Sequence, residues 1–242
     1  MSAPDPWARL AGLTPARVRL RAGMRPVSME ELLTFQQDHA AARDAIHGAV
    51  DWAALARALH SLPVLHAASA ATDRPTYLRR PDLGRRLAEG DLPCSRPDLL
   101  IVVGDGLSAP AVMAQAAPLV HALVRRLPEL DGQPIVLARG ARVALGDAIG
   151  QAMGAAMVLM LIGERPGLSV ADSLGAYLTR APRTGLRDSA RNCVSNIHMN
   201  GGLDHEAAAD RLLWLITEAR RIGATGIALK DDSAAATPLP GA

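Results

Sequence analysis

The chain has 242 residues, enough for one large domain or for one domain with a helical appendage. Hydrophobic residues make up 49% and aromatics only 2%, so a sizeable core must be built from Leu, Val, Ile, Met and Ala, and the near-balanced net charge of +2 argues against a nucleic-acid binder. No apolar run reaches the roughly 18 residues of a membrane span, the first residues lack a signal-peptide core, and Cys94 and Cys193 are too few for a disulfide framework, so a cytoplasmic protein with two small buried or half-buried thiols is expected.

Residues 1–27, with Pro4, Pro6, Pro15 and Pro26, read as an extended arm with room for one short helix. Ser28-Met-Glu-Glu31 has the form of a capping box and predicts a helix to about Ala45. Asp51 to His60 predicts a second helix, ended by Pro63. Arg74 to Leu87 reads as an extended segment running into a short helix that starts near Pro81. From Arg96 the character changes. Asp98–Val103 is apolar on consecutive positions, the pattern of a strand buried on both faces. Gly104-Asp105-Gly106 turns it, and Ser108 can cap a helix to about Leu127. Gln133–Ala138 and Met157–Ile162 are the next strands, with a loop passing into a helix over 142–153 between them. Leu174–Thr179 and Cys193–Ile197 have the lengths of short strands. Asp204 caps a helix from His205 to Ile222 with an apolar stripe of Ala208, Leu212, Leu215, Ile216 and Ala219, and Gly223 follows as its terminator. Thr225–Leu229 reads as a last strand. Strands alternating with helices imply parallel crossover units and a three-layer α/β fold. The division expected is an arm and helical region over 1–95, an α/β domain over 96–230, and a frayed tail over 231–242.

Four features bear on function. Glu164-Arg165-Pro166-Gly167 follows the strand at 157–162, where open parallel sheets bind ligands; it reads equally as a salt-bridged loop or as a ligand-facing carboxylate. The Gly104-Asp105-Gly106 junction could hold an anion at a helix start, but the full dinucleotide fingerprint is missing, and an ordinary tight turn is favoured. Gly146, Gly150 and Gly154, spaced by four, line one helix face and imply close approach of either the neighbouring sheet, the favoured reading, or a large planar ligand. Cys193 has no triad-like histidine and no second cysteine at metal spacing, so a nucleophile is not indicated. The excess of arginine, 25 of the 26 basic residues with Lys230 the exception, fits a coding bias before it fits bidentate anion contacts. The residues alone describe a ligand-binding α/β domain without its own catalytic set.

Several longer motifs carry a resemblance. Ile162-Gly-Glu-Arg-Pro-Gly-Leu168, Asp172-Ser-Leu-Gly-Ala-Tyr177, Ala181-Pro-Arg183 and Arg191-Asn-Cys-Val-Ser-Asn-Ile-His198 closely resemble the small subunit of ethanolamine ammonia-lyase, as do Tyr77 to Leu87, Asp105-Gly-Leu-Ser108 and Arg21 to Pro26. The likeness runs in order from about Arg17 to Lys230. It implies a Rossmann-like domain with a mainly parallel sheet, preceded by a helical region. It also implies an adenosylcobalamin-dependent lyase that converts ethanolamine to acetaldehyde and ammonia by radical chemistry. In this family a large subunit, a TIM-type barrel, binds ethanolamine and carries the catalytic residues. The cobalamin lies between the subunits, and large/small pairs form a higher oligomer often associated with a bacterial microcompartment. Three cobalamin-contact positions of the family fall on Val143, Glu164 and Cys193, with no catalytic or metal-ligating residue on this chain. The alternative is a non-catalytic cobalamin-binding or assembly subunit of a divergent amino-alcohol lyase; a stand-alone nucleotide-binding protein is disfavoured by the missing fingerprint.

Overall fold

The computed structural model describes residues 28–60, 62–90 and 92–233. The expected N-terminal arm and the end of the tail lie outside them. Ser28 forms the expected capping box: its hydroxyl accepts from the Glu31 amide at 3.1 Å, and its own amide donates to the Glu31 carboxylate at 2.9 Å. Helix α1 spans Met29–His47, and α2, capped by Asp51, spans Trp52–Ala58. Strand β1, Val64–Ala68, was not expected. Pro63 immediately precedes it, and proline is tolerated at the start of an edge strand. The presumed extended segment is instead helix α3, Arg74–Arg79. Asp73 caps it and Pro75 sits in its first turn, so the helix began one proline earlier than expected; Leu83–Arg85 forms only a 3₁₀ turn.

The remaining elements follow the sequence pattern more closely. They are β2 (Leu99–Gly104); α4, which joins Ala109–Ala111, a π-helical stretch Val112–Ala116 and Ala117–Arg126; β3 (Ile135–Arg139); α5 (Leu145–Met153); β4 (Met157–Gly163); β5 (Leu174–Arg180); β6 (Arg191–Ile197); and α6 (His205–Ile222). Asp204 caps α6 through the Ala207 amide at 2.8 Å, and Gly223 ends it at φ 73°. The predicted strand at 225–229 is a 3₁₀ turn, Gly226–Ala228. Its would-be ladder partner is a side chain: the Asn192 amide donates to the Leu229 carbonyl at 2.8 Å and accepts from the Gly226 amide at 2.7 Å. Gly226, at φ 74°, turns the chain away from strand geometry.

The six strands form one mixed sheet in the order β1-β3-β2-β4-β5-β6. The first four run parallel, whereas β5 and β6 are antiparallel. The alternation of crossover units that implied a mainly parallel sheet breaks after β4, because no α-helix separates β4, β5 and β6, and antiparallel neighbours need none. Strands β1 to β5 divide their side chains between two apolar layers, whereas β6 buries apolar residues on one face only. Leu99, Ile101, Val103, Leu159, Leu161, Leu174, Ala176 and Val194 meet α2, α4 and α6. Leu100, Val102, Val136, Val158, Met160 and Ile162 meet α5 through Leu145, Ile149 and Met153. All five residues of the expected α6 stripe are buried. Each large aliphatic among such buried side chains contributes about 1.5–3 kcal/mol through loss of water contact. Among the described residues, no helix is long and apolar enough to cross a membrane.

Candidate functional site

The β2 and β3 connections depart to opposite faces, with α4 on one and α5 on the other, which creates the usual ligand crevice of such sheets between their carboxyl ends. Here that crevice is closed by protein. The Asp105 carboxylate accepts backbone N–H bonds from Gly106, Gly140 and Ala141 at 3.0, 3.0 and 2.8 Å, with Arg74 at 3.8 Å. Burial pushes its carboxyl upward, opposed by these amides and by Arg74. The Arg74 and Arg142 guanidinium groups lie on the Tyr77 ring, at 4.8 and 4.3 Å from its centroid. A cavity of about 210 Å³ remains outside, lined by Trp52, Arg74, Tyr77 and Asp105 among others. The junction therefore serves as a tight structural turn with a carboxylate already in place, the favoured sequence reading.

The glycine face of α5 is explained the same way. A Cβ on Gly146 would stand 3.3 Å from Met160 and Val158, and one on Gly150 would stand 2.4 Å from Val158 Cγ2 and 2.6 Å from Pro182. Gly154 is the left-handed terminator at φ 70°. The close neighbour of this helix face is β4, and the planar-ligand reading of these glycines is set aside.

Glu164 follows β4 and is half-buried. It forms no ion pair among the described residues, so the reading of 164–167 as a salt-bridged loop fails. Its Oε2 accepts from the Ser173 hydroxyl at 2.6 Å and from the Asn196 amide at 3.3 Å. Oε1 has no hydrogen-bond partner among the described residues. The Asn196 amide is available because β6 bulges there. Between the pairs Leu174–Ile197 and Ala176–Val194 stand Gly175 on β5 and both Ser195 and Asn196 on β6. Asn196 takes φ 61°, a conformation asparagine tolerates better than most residues. Buried His198 holds it in place. His198 Nδ1 accepts from the Asn200 amide at 3.2 Å, which leaves Nε2 to donate to the Asn196 side-chain oxygen at 2.8 Å.

Gly175 completes this cradle. A Cβ there would meet Glu164 Oε1 at 2.9 Å, Glu164 Cγ at 3.2 Å and Tyr177 Cε2 at 3.1 Å. Tyr177 stands directly opposite Cys193 in the ladder, so the two side chains leave the same face of the sheet. Burial first, then Cys193 and Glu164, raise the Tyr177 phenol, which keeps its proton. Loss of water around the sulfur also raises the Cys193 thiol, although the residue as a whole is exposed, with Glu164 adding to the effect and Tyr177 opposing it. Cys193 and Cys94 are both exposed, against the expected burial. The thiol is thus a neutral surface group, which agrees with the absence of nucleophile signals.

The structure brings Glu164 and Cys193 together around Gly175 and Tyr177. Val143 is placed less directly. It lies in the turn before α5, half-buried, and packs on the same apolar layer as Tyr177. A buried ion pair ties its helix to β6: Arg191 donates to Asp147 of α5 and also to Asp188 at 2.8 Å, over Thr179 of β5. Burial pushes the Asp147 carboxyl upward while Arg191 pulls it down. Ser173, Gly175, Tyr177 and Arg191 fall within the motifs that carry the resemblance, but neither they nor Asp147 are site residues in the sequence reading. The alternation Leu174/Ala176/Leu178 against Gly175/Tyr177/Thr179 holds the signal for the β5 pair, since it sends that set to the face opposite the α6 core.

The model of the ethanolamine ammonia-lyase light chain family matches residues 4–230. Among curated relatives, the ethanolamine ammonia-lyase small subunit of Bradyrhizobium diazoefficiens is 50% identical over 244 residues, covering 96% of this chain and 93% of the relative. Proteins of the same description from Rhodopseudomonas palustris and Pseudomonas fluorescens are 51% and 46% identical, covering 93% and 95% of this chain and 89% and 88% of theirs.

Proposed function

The chain belongs to the ethanolamine ammonia-lyase light chain family, and from that premise we propose that it is the small subunit of an adenosylcobalamin-dependent ethanolamine ammonia-lyase, acting with a large catalytic subunit. Residues 96–230, with β1 added to their sheet, form the cobalamin-contacting unit in this reading. Its parallel part, with helices on both faces, is Rossmann-like, and the helical region precedes it. Val143, Glu164 and Cys193 are the proposed contacts, in a complex of large/small pairs.

The observation that carries the site is the convergence of Glu164 and Cys193, distant in sequence, on one face of β5 and β6. That face lies beyond α5, the helix that covers β4. The residues present fit a broad, flat macrocycle fringed with amides. Glu164 Oε1 is a carboxylate oxygen without a hydrogen-bond partner among the described residues, ready to accept an amide N–H. Gly175 lets the Glu164 carboxylate and the Tyr177 ring close in where a Cβ would stand, which sets both on the same face. Cys193 offers a neutral, exposed, polarisable contact. When bound, the cofactor supplies the carbon-centred radical that takes hydrogen from ethanolamine. This chain's own part is positional. Glu164 is fixed by Ser173 and the bulged Asn196 amide, so it presents one oxygen in a set direction. Tyr177 stands beside the Cys193 thiol as its ladder partner. No proton transfer is assigned to either residue.

The test is reconstitution. The chain, a cognate large subunit, adenosylcobalamin and ethanolamine together should yield acetaldehyde and ammonia, and neither subunit alone should do so. No turnover with a folded, assembled partner overturns the reading. Turnover of another short amino alcohol in place of ethanolamine would identify a divergent lyase.

A further inference from the structure

We infer that Tyr177 is a fourth cobalamin-contact residue, its ring forming the apolar floor between Val143 and Cys193; the inference rests on the cobalamin site proposed above. Three placements support it. Tyr177 belongs to the apolar layer that also holds Val143, so it joins the side of the site set by α5 to the side set by β6. It is the ladder partner of Cys193, so its side chain leaves the same face of the sheet as the thiol. Its ring edge and the Glu164 carboxylate share the gap left by Gly175, so ring and carboxylate are set by one space.

Exposure and chemistry agree. Tyr177 is half-buried, whereas Tyr77, the other tyrosine, is 1% exposed and is enclosed by Arg74 and Arg142. A half-buried aromatic on an open sheet face gives a macrocycle a rigid apolar surface at little cost in side-chain freedom. In this reading the ring is the part of Tyr177 that meets the ligand, beside the exposed Cys193.

The test uses the assembled large/small complex with hydroxocobalamin as probe and equilibrium dialysis as readout. Tyr177→Phe keeps the floor and should bind within about threefold of the unmodified complex. Tyr177→Leu removes the flat ring and should lose about tenfold in affinity, the scale of one well-packed aromatic contact. A Tyr177→Leu complex that assembles and binds with unchanged affinity overturns the inference. Should that variant fail to assemble, 3-fluorotyrosine labelling of this chain decides, because it contains only two tyrosines. Cobalamin should shift the fluorine resonance assigned to Tyr177 and leave that of Tyr77 in place; an unmoved Tyr177 resonance on bound complex overturns the inference equally. Glu164→Ala and Cys193→Ala run in parallel. If they weaken binding and Tyr177→Leu does not, only the fourth contact falls. If none of the three changes affinity, the proposed site itself falls.

Discussion

Gly175→Ala probes the cradle with a single methyl group. Its φ is not in the left-handed region, so alanine is compatible with the backbone, and the effect isolates packing. A strand interior gains roughly 0.5–1 kcal/mol when alanine replaces glycine. Against this, the new Cβ would stand 2.9 Å from Glu164 Oε1 and 3.1 Å from Tyr177 Cε2. Overpacking of this kind costs about 1–3 kcal/mol if the neighbours stay. If Glu164 swings away instead, it gives up the 2.6 Å bond from Ser173, and hydrogen bonds to charged groups contribute about 1.5–3 kcal/mol. Set against the backbone gain, either route leaves a net loss of roughly 0–2.5 kcal/mol, with about 1 kcal/mol expected. In a chain of this size that lowers Tm by roughly 2–4 °C per kcal/mol. Cobalamin affinity of the complex should fall about tenfold, because the carboxylate or the ring has left its position. Gly167→Ala is the control, since its Cβ would meet only the Val170 carbonyl at 3.6 Å, an ordinary contact. Thermal unfolding with equilibrium dialysis reads both effects. A raised Tm with unchanged affinity for Gly175→Ala would refute the cradle.

Glu164→Ala should weaken cobalamin binding by about tenfold to a hundredfold, the scale of a hydrogen bond to a charged group, while the circular dichroism of the chain stays unchanged; equal affinity removes Glu164 from the site. Arg191→Met should destabilise the chain by about 3–5 kcal/mol in urea unfolding because it strands the buried Asp147 carboxylate, and adding Asp147→Leu should recover most of the loss; a double variant no more stable than the single one contradicts that account. In a Cys94→Ser chain without cobalamin, alkylation of Cys193 by iodoacetamide should be slow at neutral pH and accelerate only above the usual thiol range of about 8.5. The sign follows from burial: a folded-state pKa above the unfolded one stabilises the chain below the unfolded value, and that contribution is lost as pH rises through the folded one. Rapid labelling at pH 7 would count against a raised thiol.

The elements with strong periodicity were legible. Consecutive apolar runs located β2, β3 and β4, and the α6 stripe with Asp204 and Gly223 located that helix at both ends. Strand direction was not legible, because Leu174–Arg180 and Arg191–Ile197 carry no local mark of which neighbour they pair with. Strand β1 escaped because it is short, begins after a proline and is only partly buried. The supposed strand at 225–229 failed for the opposite reason: its residue types suit a strand, but Asn192 satisfies its backbone from the side. At the site, Glu164 was legible as a carboxylate past a strand end. Its supports were not, since Ser173 lies just before β5 and Asn196 on β6, and only the fold brings them to it.

The breakdown of parallel order after β4 bears directly on where this chain presents its binding face. In a sheet parallel throughout, a crossover helix would follow β4 and cover the strands beyond it. Here β5 and β6 return as hairpin-type neighbours, so the side opposite α4 and α6 keeps Cys193 exposed beside the half-buried Tyr177. The customary crevice is meanwhile closed by Asp105. The two facts together move the proposed cobalamin face from the strand ends toward the flat of β5 and β6, with Glu164 at its rim. A flat ligand shared with a second subunit suits such an open surface better than a crevice, because the partner can cover the side of the ligand that this chain leaves exposed.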